Sequence, residues 1–373
     1  MRSIQVFSSI SRLLRNHLYL CFMIYYFFLH APLLNAQGSQ FFTRYLSENI
    51  RIEQGLSQNT VFCIHQDDQG FMWFGTWDGL NRFDGYSFIS YNKEQGLSNE
   101  SIRALYQFGN KLWIGTEDGL NMLDLDNNTI RVFRSVVGDS TTLSNNWINH
   151  ITSDRNGKIW VSTAYGLNEL DPATLRFRHV FSRDYGDVIR GNHFNMMLQD
   201  SVNNFWVATQ HGLAFFEAST NKVTRYFHQK DDPRSLPDNQ VNKITFGKGG
   251  QIWVGTRKGI ASFNPSTGTF YIPEAMSTQE TNINTPEILS LHYQHGGLLW
   301  AGTNGQGLIQ LNTITGELSR NTNIANVRAS LSDNRVFDIF TDNRGIMWVG
   351  TFYGLNKLNP KAPRFRTFRS NPN

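Results

Sequence analysis

Charge is scarce in this chain and cysteine scarcer. Charged residues fill 17% of the 373 positions, and there are two cysteines and ten prolines. So little charge, with aromatics at 13%, excludes a disordered chain and argues against a helical bundle. Cys21 falls in an apolar N-terminal segment and Cys63 in a segment read as a strand. One thiol beyond that segment cannot form an internal disulfide, so the fold must stand on packing.

Acidic residues are missing altogether from positions 1–36, where Arg2, Arg12 and Arg15 are the only charges other than His. An apolar run from Leu18 to Leu34 follows and ends at Leu34-Asn35-Ala36. This reads as a secretory signal peptide with the mature chain starting near Gln37. An uncleaved membrane anchor is the other reading, although His30 and Pro32 interrupt the run. Removing the segment lowers the formal net charge from +4 by three, to +1. The remainder then has no electrostatic case for nucleic acid.

Enzyme motifs are lacking too. There is no His-Glu-x-x-His pair, no Gly-x-Ser-x-Gly elbow and no phosphate loop. His292 and His295 flank Tyr293-Gln294, which admits a metal or lyase reading; a strand and turn beside Gly296-Gly297 is the plainer one. No metal and no cofactor are expected.

What the chain does have is a repeat. Trp-x-(Gly/Ser/Ala)-Thr occurs seven times, at Trp73, Trp113, Trp160, Trp206, Trp253, Trp300 and Trp348. Successive Trp residues lie 40, 47, 46, 47, 47 and 48 positions apart, the length of a four-stranded propeller blade. A Gly follows six residues after each Trp, from Gly79 to Gly354, with Gly307 one residue late in the sixth copy. An apolar pair precedes each Trp, as in Val61 and Ile64 or Val336 and Ile339. These features predict an all-β, seven-bladed propeller of four-stranded antiparallel blades over 37–373. The seven Trp residues are expected to be structural. One detail runs against a strand: the apolar pair is spaced by three, as in a helix. The segment is only about seven residues, too short for a helix that must also reach the Trp strand.

Ring closure requires the two ends to be fastened. Phe42-Thr43-Arg44-Tyr45-Leu46 and Arg364-Phe365-Arg366-Thr367-Phe368 both match the outer-strand pattern of Thr224-Arg225-Tyr226-Phe227. Only one can complete the blade of Trp348, and the N-terminal segment is expected to do so.

Gly55-Leu56-Ser57-Gln58-Asn59-Thr60-Val61 and the run from Asp67-Asp68-Gln69-Gly70 through Trp73-Phe74-Gly75-Thr76 to Asp84-Gly85 resemble the two-component regulator propeller repeat. The resemblance extends over 41–370. It implies a periplasmic sensor of carbohydrate breakdown products, coupled to a histidine kinase, in the manner of hybrid two-component systems. Kinase activity is not implied for this chain, which has no phosphoacceptor His motif and no nucleotide-binding segment.

The binding residues are expected in the variable turn before each Gly and in the neighbouring crossover: Trp77, Asp78, Glu117, Trp147, Tyr165, His211, Arg257, Lys258, Phe352 and Tyr353. Aromatic faces beside polar groups suit a sugar ring, which offers both CH surface and hydroxyls. The plainer reading is that exposed turns vary freely. The partners to expect are an oligosaccharide or similar small ligand, a second propeller or a histidine kinase, and a second copy of the chain. A secreted propeller enzyme such as a polysaccharide lyase, or a protein-interaction propeller, are the alternatives.

Overall fold

The computed structural model describes residues 46–180, 193–220, 222–277, 285–327 and 330–359. Each repeat Trp lies on the second strand of a four-stranded antiparallel sheet, and there are seven such sheets. Blade 1 comprises Val61–Gln66, Met72–Thr76, Gly79–Phe83 and Phe88–Tyr91. Blade 2 comprises Ile102–Phe108, Lys111–Thr116, Gly119–Asp124 and Thr129–Phe133. Blade 3 comprises Ile148–Ser153, Ile159–Thr163, Gly166–Asp171 and Arg176–His179. Blade 4 comprises Phe194–Gln199, Phe205–Thr209, Gly212–Glu217 and Lys222–Tyr226. Blade 5 comprises Val241–Phe246, Ile252–Thr256, Gly259–Asn264 and Thr269–Tyr271. Blade 6 comprises Ile288–Gln294, Leu298–Thr303, Leu308–Asn312 and Leu318–Asn321. Blade 7 comprises Val336–Thr341, Met347–Thr351 and Gly354–Asn359, completed by Leu46–Ile50. The inner strands pack on one another in order, and that of blade 7 packs on that of blade 1. The result is a closed seven-bladed propeller, as the repeat predicts.

The spacing of three is explained by a β-bulge. In blade 1, Val61 lies opposite Thr76 and Cys63 opposite Gly75, so Phe62 has no partner in the ladder. The same shift recurs in all seven inner strands. One extra residue restores Val61 and Ile64 to a common face, which a regular strand gives to residues two apart. Both are buried.

Packing runs from each blade into the next. Trp113 clusters with Ile148 and Val161 of blade 3, Trp300 with Val336 and Val349 of blade 7, and Trp348 with Ile64 and Phe74 of blade 1. All seven Trp side chains are buried, as expected of structural residues. In five blades the Gly two residues after the Trp lets the neighbour approach. A Cβ on Gly115 would lie 2.5 Å from Ile148 Cγ2 of the next blade, and one on Gly350 2.8 Å from the Val61 carbonyl. Blades 3 and 4 carry Ser162 and Ala208 there.

Two polar devices accompany this packing. Asp67 Oδ1 accepts from Gln69 N–H (3.1 Å) and Phe71 N–H (2.8 Å), while its Oδ2 accepts from Trp73 Nε1 at 2.7 Å. Asp154 with Trp160, and Asp342 with Trp348, repeat the arrangement. One carboxylate thus orders the turn and satisfies a buried indole. The second device joins Ser57, Thr76 and Asn81, and recurs at Ser98/Thr116/Asn121, Ser144/Thr163/Asn168 and Ser332/Thr351/Asn356. Blades 4, 5 and 6 have Ala214, Ala261 and Ile309 at the Asn position.

The N-terminal side closes the ring. Leu46–Ile50 pairs antiparallel with Gly354–Asn359, Leu46 opposite Asn359 and Ile50 opposite Leu355. The expectation centred on Phe42–Leu46. Of that segment only Leu46 is among the described residues; Ile50 is buried against the blade 1 and blade 7 core. Residues 1–36, 42–45 and 364–368 lie outside the described residues.

Candidate ligand site at the axial mouth

The turn between the second and third strands is held by its Thr. Thr76 Oγ1 donates to the Gly79 carbonyl (2.8 Å) and accepts from Asp78 N–H (3.1 Å). Gly79 has φ +97° and a backbone carbonyl 2.5 Å from where its Cβ would be, so this position requires Gly. The first turn residue bonds back to the start of its own inner strand: Trp77 N–H to Thr60 O (3.3 Å), Glu117 to Ser101 (3.3 Å), Phe352 to Arg335 (3.0 Å). Several of the Gly residues bond forward to the crossover entering the next blade, Gly79 N–H to Glu100 O (2.8 Å) and Gly119 to Asn146 (2.8 Å). The candidates therefore form two circles. First residues stand over the inner strands near the axis, second residues over the crossovers.

Arg103 organises the inner circle. It comes from the bulge of blade 2. Its guanidinium lies 4.0 Å from the Phe62 ring centre, 5.7 Å from that of Trp147 and 5.9 Å from that of Trp77. Arg103 Nε donates to Glu117 Oε1 at 2.9 Å. Phe62 also contacts Trp77 (5.7 Å between centres) and Phe337 (5.0 Å). The charge is thus held by three ring faces and one carboxylate. Trp77 is 53% and Trp147 42% exposed, so each offers a face to a ligand. Phe352 carries a guanidinium of its own, Arg335, at 3.3 Å.

The adjoining arc of the mouth, from blade 3 to blade 6, is amide-rich. Asn149 Nδ2 donates to the Phe194 carbonyl (2.9 Å), Asn195 to Val241 (2.7 Å) and Asn242 to Ile288 (2.9 Å), each linking one blade to the next. Glu287 accepts from Gln240, Asn242 and Asn304 at 3.3, 3.3 and 2.9 Å.

The other candidates lie outside this cluster. Tyr165 packs on His193 with centres 5.2 Å apart, Lys258 pairs with Asp238 at 3.8 Å, and Tyr353 lies under Arg51 at 4.9 Å. The His211 carbonyl accepts from Arg225 at 2.9 Å. Asp78 and Arg257 are exposed. The structure thus brings together Trp77, Glu117 and Trp147, and distributes the rest. Sequence reasoning missed Arg103 and Phe62. The signal was there: the residue after the first apolar position of each inner strand reads Phe62, Arg103, Asn149, Asn195, Asn242, Leu289, Phe337.

Below the mouth the next residue of each inner strand faces the axis. Cys63, Ala104, His150, Met196, Lys243, Ser290 and Asp338 border a cavity of about 180 Å³. Burial pushes the Cys63 thiol up, aided by the Asp338 charge. Burial pushes His150 down to about 3, with Lys243 acting in the same direction. Burial raises Asp338, while Lys243 and two N–H donors pull the other way. His292 and His295 do not converge. His292 Nε2 shares a 3.0 Å hydrogen bond with Thr341 Oγ1, and His295 is exposed. Among the described residues no group of three His, Cys, Asp or Glu is placed to hold a metal ion.

Fold and mouth together define a seven-bladed repeat propeller with its variable residues on one face. The family model described as two component regulator propeller matches residues 55–78, 142–165 and 330–353, within blades 1, 3 and 7 and the crossovers leading into them. Three of the seven repeats thus match the two-component regulator propeller repeat. Histidine kinase P4 of Formosa agariphila is 43% identical over 67 residues, which is 17% of this chain and 5% of that protein. A solved B. thetaiotaomicron extracellular domain, described as part of a hybrid two component system, is 30% identical with a TM-score of 0.74. The match covers 86% of this chain and 42% of that one. A second B. thetaiotaomicron extracellular domain, described as part of a one component system, is 22% identical with a TM-score of 0.68. It covers 84% of this chain and 39% of that one, and shows the fold alone. The chain is thus homologous to an extracellular sensor propeller of a two-component system and spans less than half of that solved chain.

Proposed function

We propose that this propeller is the ligand-sensing region of a two-component signal transduction system, exported to the periplasm, and that its axial mouth binds a carbohydrate breakdown product. The observation that carries the ligand class is the cluster of Trp77, Trp147, Phe62, Arg103 and Glu117. Two half-exposed indole faces offer CH contact, and a guanidinium and a carboxylate between them offer directed hydrogen bonds to hydroxyls. Homology to an extracellular sensor domain supports the signalling role. A histidine kinase or a second propeller is then the partner that receives the signal.

Titrating the purified protein against a panel of oligosaccharides tests this. Saturable binding without product formation, weakened by Trp77→Ala and Trp147→Ala, is the expected result. Product formation would point to an enzyme. A panel with no binder, or binding indifferent to both substitutions, would overturn the assignment of the mouth.

A further inference from the structure

Lys243 of blade 5 and Asp338 of blade 7 project into the same axial cavity. Asp338 Oδ2 accepts from Ile64 N–H at 2.8 Å and Oδ1 from Ile339 N–H at 3.0 Å, which leaves both oxygens with accepting capacity. Among the described residues the Lys243 ammonium has neither a hydrogen-bond partner nor an ion pair. His150 Nδ1 and Ser290 Oγ are buried without a partner. Two polar atoms withdrawn from bulk water and left unpaired are costly, and the half-buried Lys243 ammonium lines the same cavity without a counter-ion in contact. The cavity, at about 180 Å³, far exceeds the ~10–15 Å³ that admits one water. Phe62, Arg103 and Asn149 border both cavity and mouth, which gives a route of entry.

The arrangement selects a charge pattern. A simple anion drawn to Lys243 would meet the Asp338 carboxylate, and a simple cation drawn to Asp338 would meet the ammonium. One compact molecule with both charges satisfies both. We propose that the axial cavity is a binding site for a small zwitterion of the α-amino-acid type, its carboxylate on Lys243 and its ammonium on Asp338. The His150 ring borders the same cavity. This site adjoins the glycan mouth through Phe62, Arg103 and Asn149 but uses neither Trp77 nor Trp147, and does not depend on that reading.

Isothermal titration of the full chain with alanine, acetate, methylammonium and glucose tests it. Alanine is expected to bind saturably at one site, with acetate and methylammonium at least about tenfold weaker and glucose absent from this site. Lys243→Met and Asp338→Asn should each weaken alanine by at least about tenfold and leave oligosaccharide binding unchanged. Lys243→Met removes an unpaired charge, so its melting temperature should not fall. It decides the matter alone should Asp338→Asn fail to fold. A wild type that binds neither alanine, glycine nor serine would show a cavity holding water only and overturn the proposal. So would alanine affinity that Lys243→Met leaves unchanged. Failure of the glycan reading shows instead in Trp77→Ala, which this site does not use.

Discussion

The backbone N–H of Gly354 donates to the carbonyl of Asn59 at 2.9 Å, across 295 residues of chain and from the last blade to the first. It repeats the bond that Gly79 makes to Glu100 and Gly119 to Asn146. The joint between blades 7 and 1 is therefore made like the others and reinforced by the Leu46–Ile50 ladder.

Removing that ladder is expected to unfasten the ring. Deleting 46–50 strips the edge of Gly354–Asn359 and takes Ile50 out of the core. A large drop in melting temperature by circular dichroism is expected. A transition matching wild type would mean that the joint holds without the strand.

The two Trp classes should separate cleanly. Trp73→Ala empties a fully packed site and should cost about 3–5 kcal/mol in urea unfolding. Trp77→Ala, on the half-exposed mouth residue, should leave stability within about 0.5 kcal/mol and act on ligand affinity instead.

Asp67→Ala should cost about 1–3 kcal/mol, because it leaves the Trp73 indole N–H buried without an acceptor. Asp67→Asn keeps one acceptor oxygen, for the indole or for the turn N–H groups but not both, and should be milder. Equal losses in the two variants, measured by denaturant titration, would remove the indole bond from the explanation.

Gly115→Ala should cost about 1–3 kcal/mol by pressing on Ile148 of the next blade. The reverse change in blade 4, Ala208→Gly, should cost only about 0.5–1 kcal/mol through chain entropy. Thermal unfolding of the pair compares crowding with flexibility at equivalent positions.

Acid should weaken the fold through His150. Its folded-state value of about 3 lies below the ordinary 6.5, so the unfolded chain takes up the proton first. The contribution is whole above pH 6.5 and is lost as pH falls toward about 3. His65 and His292, also lowered by burial, act with the same sign; Asp338, raised, acts with the opposite one. His150→Gln should flatten the fall of stability with pH across that window. An unchanged slope would exclude His150 as a source.

The ring was legible because Trp73 and its six equivalents answer to one constraint, burial between blades, and vary little for that reason. Gly79 was legible through its turn. The bulge was not: the spacing of Val61 and Ile64 fits a helix turn as well, and pairing with Thr76 and Gly75 is what separates the two. Arg103 was missed because a charge on an inner strand breaks the alternation that marks function in turns. Only the ring places it beside Trp147, which is 44 positions away. The Asp67–Trp73 bond was hidden by the turn residues between them, although the spacing of six recurs at Asp154 and Asp342.

In the closing ladder Leu46 faces Asn359, so the chain enters and leaves the ring at the same end of one strand pair. Tension that draws those two points apart would not shear the five pairs together. It would peel them singly, starting at Leu46 and Asn359 and reaching Ile50 and Leu355 last. Blade 7 is then the mechanical fuse of the molecule, and its rupture force is set by one backbone pair at a time.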